Sequence, residues 1–335
     1  MYKVISTFSG VGGSSLGYRL AGFKVIAAIE FLDYQANNYR INNKNTKLYY
    51  NDIRQLDPLS ILKEANLKCG ELDILDGSPP CAAFSICGKR ENVWGKVKKY
   101  GNKKQKVDDL FFEFIRFLDK IQPKVFIAEN VTGLVKGKNA IGYFKLIFNK
   151  LEKCGYNIRT KVLNSKYYKV PQSRQRLFFI GVRKDLNIIP SFPLPIKKLI
   201  TVNSAFLGVK NTALNLKNAR IQENFILPYL PLMKPGESAS KYNKKGSYFN
   251  KCRIYKNRPA QTITQTKNLY HYKENRHLTI PELKRLMSFP DNFILEGSFL
   301  RQWEACGRSV PPNMMKAIAL NIKHNILNKL KVGKL

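Results

Sequence analysis

The chain has 335 residues, of which 44% are hydrophobic, enough for a sizeable buried core and roughly two domains. That composition excludes a disordered or fibrous protein. Lys plus Arg number 58 against 23 Asp plus Glu, a formal net charge of +35 spread along the chain. A surface this basic points to a polyanionic partner.

The N-terminus Met1–Phe8 runs straight into a strand pattern, with no cationic leader and no long apolar run. No stretch approaches the length needed to span a bilayer. The expectation is a soluble, intracellular protein with no membrane partner. The six cysteines form no C-x-x-C pair, and the three histidines have no Cys at zinc spacing. Neither a metal site nor a disulfide framework is expected.

Taken in order, Lys3–Phe8 reads as a strand, followed by a Gly-rich turn and a helix near Ser14–Ala21. Lys24–Glu30, Leu48–Asp52 and Leu72–Asp76 read as the next three strands. Asp108–Ile121 carries apolar residues at helical spacing (Leu110, Phe114, Phe117, Leu118, Ile121). Lys124–Glu129 is a fifth strand, and Ala140–Cys154 a further helix. This alternation implies an α/β fold, with a mainly parallel, Rossmann-like sheet covered on both faces. After about Lys184 the βαβ rhythm is lost. The stretch becomes rich in Pro, then in Lys, Asn and Tyr, and reads as a small separate domain over 184–256. Residues 1–183 and 257–335 form the main domain, which ends in an amphipathic helix at Met314–Leu330.

Ligands of such sheets bind at the carboxyl ends of the strands. The residues there are Phe8–Gly13, Glu30-Phe31, Asp52-Ile53, Gly77–Cys81 and Glu129–Val131, so glycines, acids and one cysteine gather along one edge. Phe8-Ser9-Gly10-Val11-Gly12-Gly13 gives a tight turn and close backbone approach, although it is not G-x-G-x-x-G. Glu30 suits ribose hydroxyls and Asp52 an adenine amino group. Singly, each also fits a helix cap or a solvated acid, but with the glycine turn they outline a nucleoside pocket.

Gly77-Ser78-Pro79-Pro80-Cys81 is the most telling stretch. Two prolines stiffen the strand end and aim a thiol at the ligand edge. Glu129 could face Cys81 across the cleft, its pKa raised by partial burial so that it offers a proton near neutrality. Gln172-x-Arg174-x-Arg176 puts two arginines on one face of an extended segment.

These residues together resemble the DNA cytosine-5 methyltransferase family of bacterial and phage type. The similar motifs span nearly the whole chain in the family's order. They are Phe8–Gly17, Glu30-Phe31, Asp52-Ile53, Gly77–Ser85, Leu110-Phe111-Phe112, Glu129–Val131, Gln172–Arg176, Arg258–Thr264 and Gly307–Asn313.

The resemblance implies transfer of methyl from S-adenosylmethionine to carbon 5 of a cytosine flipped out of duplex DNA, by way of a covalent Cys81 adduct. It implies catalysis by Cys81 and Glu129, with Arg174 and Arg176 assisting Glu129. It implies cofactor contacts from Phe8, Ser9, Gly10, Gly12, Gly13, Glu30, Phe31, Asp52, Ile53, Pro80, Leu110, Ser309 and Val310, and no metal. DNA contacts are expected from Ser85, Lys89, Arg90 and Arg258, the first three on a closing loop over Ser85–Val107. The segment 184–256 takes the place of the target recognition domain. The setting implied is restriction–modification or phage defence, with a monomer and a cognate endonuclease acting separately. The alternatives are a tRNA cytosine-5 methyltransferase and a catalytically silent DNA-binding relative; a Rossmann dehydrogenase is more remote, because the glycine fingerprint is wrong. Two positions depart from the family pattern: Ala82 stands where Gln is usual, and Arg308 where Asn is usual.

Overall fold

The computed structural model describes residues 1–80, 98–100, 103–105, 109–136, 138–243 and 246–332. By internal contacts the chain divides into two compact units. The first comprises Met1–Leu163, Gln175–Leu194 and Met315–Leu335; the second comprises Asn164–Arg174 and Pro195–Met314.

The first unit is built on β1 (Lys3–Thr7), α1 (Gly13–Leu20), β2 (Lys24–Glu30), α2 (Asp33–Asn42), β3 (Lys47–Tyr50), α3 (Pro58–Glu64) and β4 (Ile74–Gly77). A short antiparallel pair, β5 (Lys98–Tyr100) and β6 (Lys103–Gln105), follows. Then come α4 (Leu110–Ile121), β7 (Val125–Val131), α5 (Lys138–Lys153), β8 (Tyr156–Asn164) and β9 (Gln175–Arg183). The seven-stranded sheet has the order β3-β2-β1-β4-β7-β9-β8. Strands β3 to β7 pair in parallel, and β9 runs antiparallel to β7. The order reverses at β1 and β4, so the crevice at their carboxyl ends is the natural place for a ligand.

The sequence explains these elements. β2 and β7 are apolar along their middles, and every position of β4 is buried, as in strands covered on both faces. In α4, Phe111, Phe114, Phe117, Leu118 and Ile121 are fully buried along one stripe. Phe111 packs on Phe179 with ring centroids 5.7 Å apart, and Phe114 on Phe126 at 6.1 Å. Phe126 lies opposite Gly181 in the β7–β9 register, and a Cβ at Gly181 would lie 2.0 Å from its ring. The glycine therefore makes the room that the phenylalanine fills.

Sequence reading places the five parallel strands within two residues of where they lie. It passes over α2, α3 and β8, whose polar or mixed patterns give no clean period, and also β9, despite its buried run Leu177–Val182. The C-terminal helix is interrupted: α10 (Pro312–Ile322) gives way to a π-helical turn at Lys323–Leu327.

The second unit holds α6 (Val202–Phe206), α7 (Ala213–Asn218), β10 (Cys252–Arg253), β11 (Leu269–Tyr270), α8 (Ile280–Leu286) and α9 (Phe299–Arg308). Its boundaries differ from those expected at 184 and 256. Residues 257–314 pack in this unit, and the short piece Asn164–Arg174 joins them. The physical reason is polar burial. Gln172, fully buried, accepts from Ile263 N at 3.1 Å and donates toward Met287 Sδ at 2.9 Å, and Asn313 Nδ2 donates to Lys169 O at 2.9 Å. Arg253, 4% exposed, donates to the carbonyls of Leu230 and His271 and to Asn275 Oδ1. Glu223 bridges Lys267 and His277. Burial works against its charge, but hydrogen bonds from those two partners hold its pKa down at about 2.

Candidate active site

The turn after β1 is strained in a useful way. Phe8 (φ 52°), Gly10 (φ 57°) and Gly12 (φ 96°) all take left-handed conformations. Gly12 N donates back to Ser9 O at 3.0 Å, and Ser9 N donates to Ile29 O at 3.0 Å. A Cβ on Gly10 would lie 2.8 Å from Gln35 Oε1, and one on Gly12 2.7 Å from Asn43 Nδ2. The chain thus passes close over the sheet end with bare backbone, and Gly13 opens α1.

Glu30, at the end of β2 and 7% exposed, accepts from Gly10 N at 2.8 Å through one carboxylate oxygen. Its other oxygen accepts from Phe31 N at 2.9 Å and Leu32 N at 2.8 Å. The acid therefore shapes the glycine turn as well as facing its crevice.

Asp52 caps the 3-10 turn Ile53–Gln55 and accepts from Arg54 N at 3.0 Å and Arg54 Nη1 at 2.9 Å. Arg54 also reaches Asp109, the residue before Leu110, at 2.7 Å. Ile53 and Leu110 are both buried at 3%. The cap reading of Asp52 is thus realised, and through Arg54 it also fixes the start of α4.

At β4, Pro79 O accepts from Asn130 Nδ2 at 3.1 Å. Asn130 is buried, and its Oδ1 accepts from Val131 N at 2.9 Å. This amide clamps the chain two residues before Cys81 to the end of β7. Cys81 itself, with Ser85, Lys89 and Arg90 and most of the expected closing loop, lies outside the described residues. Of the other thiols, burial pushes Cys154 and Cys252 up to about 11 and Cys306 to about 12, which makes them poor thiolates at neutral pH.

Glu129 Oε1 accepts from Arg176 Nε at 3.0 Å. Both side chains are mostly buried, 12% and 18% exposed. The register explains the pair: Arg176 lies opposite Val131, two residues beyond Glu129 and on the same face of the sheet.

Arg174 is the last residue of the piece Asn164–Arg174 that belongs to the second unit. The strand β9 begins at Gln175, directly after Arg174. Arg174, 2% exposed, donates to Ile263 O at 2.9 Å and Gly307 O at 2.8 Å, within the second unit. In that unit Ser309 Oγ donates to Ala305 O at 2.7 Å, Val310 is buried, and Arg308 donates to Glu304 at 2.8 Å. Arg258 is exposed and stacks its guanidinium over Tyr255 at 5.4 Å.

Asn130 and Asp76 are functional candidates that sequence reading left unassigned. Asn130 stands inside a quoted motif, but nothing in the sequence shows which carbonyl it holds. Asp76 looks like any strand-end acid until the neighbours of β4 are known.

The glycine turn after β1, Glu30 after β2, and the Glu129–Arg176 pair at the end of β7 thus gather at the carboxyl edge of a parallel sheet whose order reverses at β1 and β4, the arrangement of a doubly wound α/β enzyme. The model of the family described as C-5 cytosine-specific DNA methylase matches residues 2–324. The chain is similar to Type II methyltransferase M.FnuDI of Fusobacterium nucleatum, 32% identical and covering 99% of this chain and 97% of that one. It is likewise similar to Type II methyltransferase M1.HphI of Haemophilus parahaemolyticus, 31% identical over 94% of this chain and 85% of that one. Among solved structures, one described as a DNA modification methyltransferase encoded within an E. coli prophage superposes with a TM-score of 0.78 at 24% identity. It covers 98% of this chain and all of the other. A DNMT2 variant from Spodoptera frugiperda gives 0.68 at 18% identity, covering 98% and 99%. The last two bear on the fold alone. The chain belongs to the C-5 cytosine-specific DNA methylase family and is a methyltransferase acting on carbon 5 of cytosine in DNA. Among the described residues no helix is long and apolar enough to cross a membrane, and no cluster of His, Cys, Asp and Glu is built to hold a metal.

Proposed function

We propose that the methyl donor is S-adenosylmethionine, held at the β1–β4 reversal, and that the substrate is a flipped cytosine of double-stranded DNA. The donor fits the residues present. Gly10 and Gly12 leave no room for a Cβ, so the turn after β1 is bare backbone, and the Glu30 carboxylate is fixed beside it by Gly10 N at 2.8 Å, at the strand end where a ribose is held in such sheets. When bound it supplies an electrophilic methyl group on a sulfonium.

The chain's own residues do the rest. The Cys81 thiolate adds to carbon 6 of the ring, which makes carbon 5 nucleophilic; once carbon 5 carries the methyl group, loss of its proton to water and elimination of the Cys81 thiolate restore the aromatic ring. Glu129, oriented by Arg176, meets ring nitrogen 3 and supplies the proton that neutralises the charge developing there. Asn130 holds the strand end that carries Cys81 by way of Pro79. Pro80, Phe8, Ser9, Gly13, Phe31, Asp52, Ile53, Leu110, Ser309 and Val310 remain proposed cofactor contacts on the strength of their motifs. Ser85, Lys89, Arg90 and Arg258 remain proposed DNA contacts.

The observation that carries the reading is the Glu129–Arg176 pair at the end of β7, beside a β4 end clamped by Asn130 directly before Cys81. The biological setting proposed is restriction–modification or phage defence in the bacterial cytoplasm. There the protein acts as a monomer, separately from any cognate endonuclease.

The test is methylation of duplex DNA and of tRNA, side by side, with labelled donor, together with trapping on 5-fluorocytosine DNA. Label in DNA and a covalent complex that is lost in Cys81→Ser are expected. Label confined to tRNA, or no trapping by donor-loaded protein, would overturn the reading.

A further inference from the structure

One buried carboxyl is bonded to both flanks of the glycine turn, and the mechanism above does not use it. Asp76, near the end of β4, is 2% exposed and pairs in register with Ser6 of β1 and Ile127 of β7. Its Oδ2 accepts from Ser6 Oγ at 3.0 Å, and its Oδ1 accepts from Tyr18 OH at 3.1 Å. Thr7 Oγ1 donates to its carbonyl oxygen at 3.0 Å. Ser6 and Thr7 lead into the turn, and Tyr18 belongs to α1, which follows it. The carboxyl therefore joins the strand and the helix between which the bare backbone of Gly10 and Gly12 runs.

The groups that face it are hydroxyls and one acid. Ser6 comes from β1, Tyr18 from α1, and Glu129 from β7, the last paired with Arg176 of β9. Tyr39 of α2 feels its charge from further off and bonds Ser15 at 2.9 Å. Among the described residues no cation forms an ion pair with Asp76, in a chain whose net charge is +35. The other acids at this edge are held differently. Asp52 meets Arg54 at 2.9 Å, and Glu30 accepts from three backbone N–H groups. A carboxylate buried without a cation does not ionise readily, and it gains most from a cation that binds nearby. Burial accordingly raises the pKa of Asp76 to about 7, against the two hydroxyl hydrogen bonds that pull it down, and the charge of Glu129 adds to the rise.

We infer that Asp76 is a specificity-determining residue for the donor: it is a buried counter-charge to the sulfonium, and it makes the site favour the cationic donor over the neutral product. This rests on the reading that S-adenosylmethionine binds at the β1–β4 reversal. Donor and product differ by one methyl group and one positive charge. In the transfer the carbon–sulfur bond breaks, sulfur keeps the bonding pair, and the sulfonium becomes a neutral thioether. The cation that Asp76 favours is then gone. Attraction between charges acts across several ångströms of a water-poor site, so the carboxylate need not touch the ligand. The sign follows by linkage. A bound cation favours the charged carboxylate, so donor binding lowers the pKa of Asp76 from about 7 and releases a proton near neutrality. Donor affinity therefore rises as pH rises through 7, and product affinity follows it less.

The experiment uses the full chain without DNA. Calorimetric titration with S-adenosylmethionine and with S-adenosylhomocysteine at pH 6 and pH 8 gives both affinities. The ratio of donor to product affinity should rise about threefold or more from pH 6 to pH 8 in wild type, beyond any change in Asp76→Asn. The variant carries whatever titration belongs to the ligands themselves, so the same pH dependence in both proteins would overturn the inference. A second arm needs wild type alone and therefore holds even if Asp76→Asn folds poorly. At pH 7, titration in two buffers of different ionisation heat should show about a third of a proton released per donor bound, and less per product. Equal release with the two ligands would refute the counter-charge. Binding of both ligands at a ratio indifferent to pH would sink this inference and leave the donor site intact. Binding of neither ligand would sink the donor site itself, and the inference with it.

Discussion

Arg176 Nε donates to Glu129 Oε1 at 3.0 Å across the antiparallel β7–β9 pair, whereas Arg174, two residues earlier, spends its guanidinium on the carbonyls of Ile263 and Gly307. Two arginines in one short motif therefore have separate work, and substitution should separate them. Arg176→Ala is expected to lower the methyl-transfer rate about a hundredfold with the thermal midpoint little changed, because it frees a catalytic carboxylate that is partly open to water. Arg174→Ala should instead cost about 3 kcal/mol of stability, since two buried charge-assisted hydrogen bonds are lost and two carbonyls left without them. Rate assays paired with urea melts check both; a stable, inactive Arg174→Ala would reverse the assignment.

Asp76 makes stability depend on pH with a definite sign. Its folded pKa, about 7, lies above the value near 4 of an unfolded Asp. Between those values the unfolded chain releases the proton and the folded one keeps it. The contribution is fully present below pH 4 and declines as pH rises to 7. Wild type should therefore lose up to about 4 kcal/mol relative to Asp76→Asn between pH 4 and pH 8, the full three-unit shift being an upper bound. Urea denaturation of both proteins at the two pH values measures this, and an equal difference at both would contradict it.

Asn130 should matter through Pro79. Asn130→Ala removes the amide that holds the β4 end and leaves a buried carbonyl short of a donor, at about 1–2 kcal/mol. Because the displaced chain leads directly to Cys81, kcat should drop about tenfold or more while the affinity for donor is retained. Single-turnover rates and donor titration separate the two; weakened donor binding at unchanged rate would show that the clamp serves a different end.

Gly10→Ala places a Cβ 2.8 Å from Gln35 Oε1 at φ 57°, which strains the turn by about 1–2 kcal/mol. The turn is expected to open and release its hydrogen bond to Glu30, weakening binding of S-adenosylhomocysteine about tenfold by calorimetry. Unchanged affinity would mean that the glycine turn does not line the donor pocket.

Much of this was legible in the linear chain. Apolar runs alternating with helical periods placed the parallel strands, because strands buried on both faces leave an unmistakable apolar signature. The strand-end rule alone gathers Gly10, Glu30, Cys81 and Glu129 along one edge of the sheet. What stayed hidden depends on pairing across the chain. β9 carries no mark of running antiparallel to β7, and the QSRQR spacing suggests two equivalent arginines. Only the start of the strand at Gln175, and the buried carbonyls near Arg174, divide them.

The sequence by itself determined the chemistry: the residue types, their order and their place after each strand are local properties that periodicity and motif reveal. The tertiary structure decided the partnerships. Which arginine meets Glu129, which carbonyl Asn130 holds, and that Asp76 lies buried beside Glu129 follow from strand order and register. Those are set by how the whole apolar sheet packs, and no stretch of sequence carries that information alone.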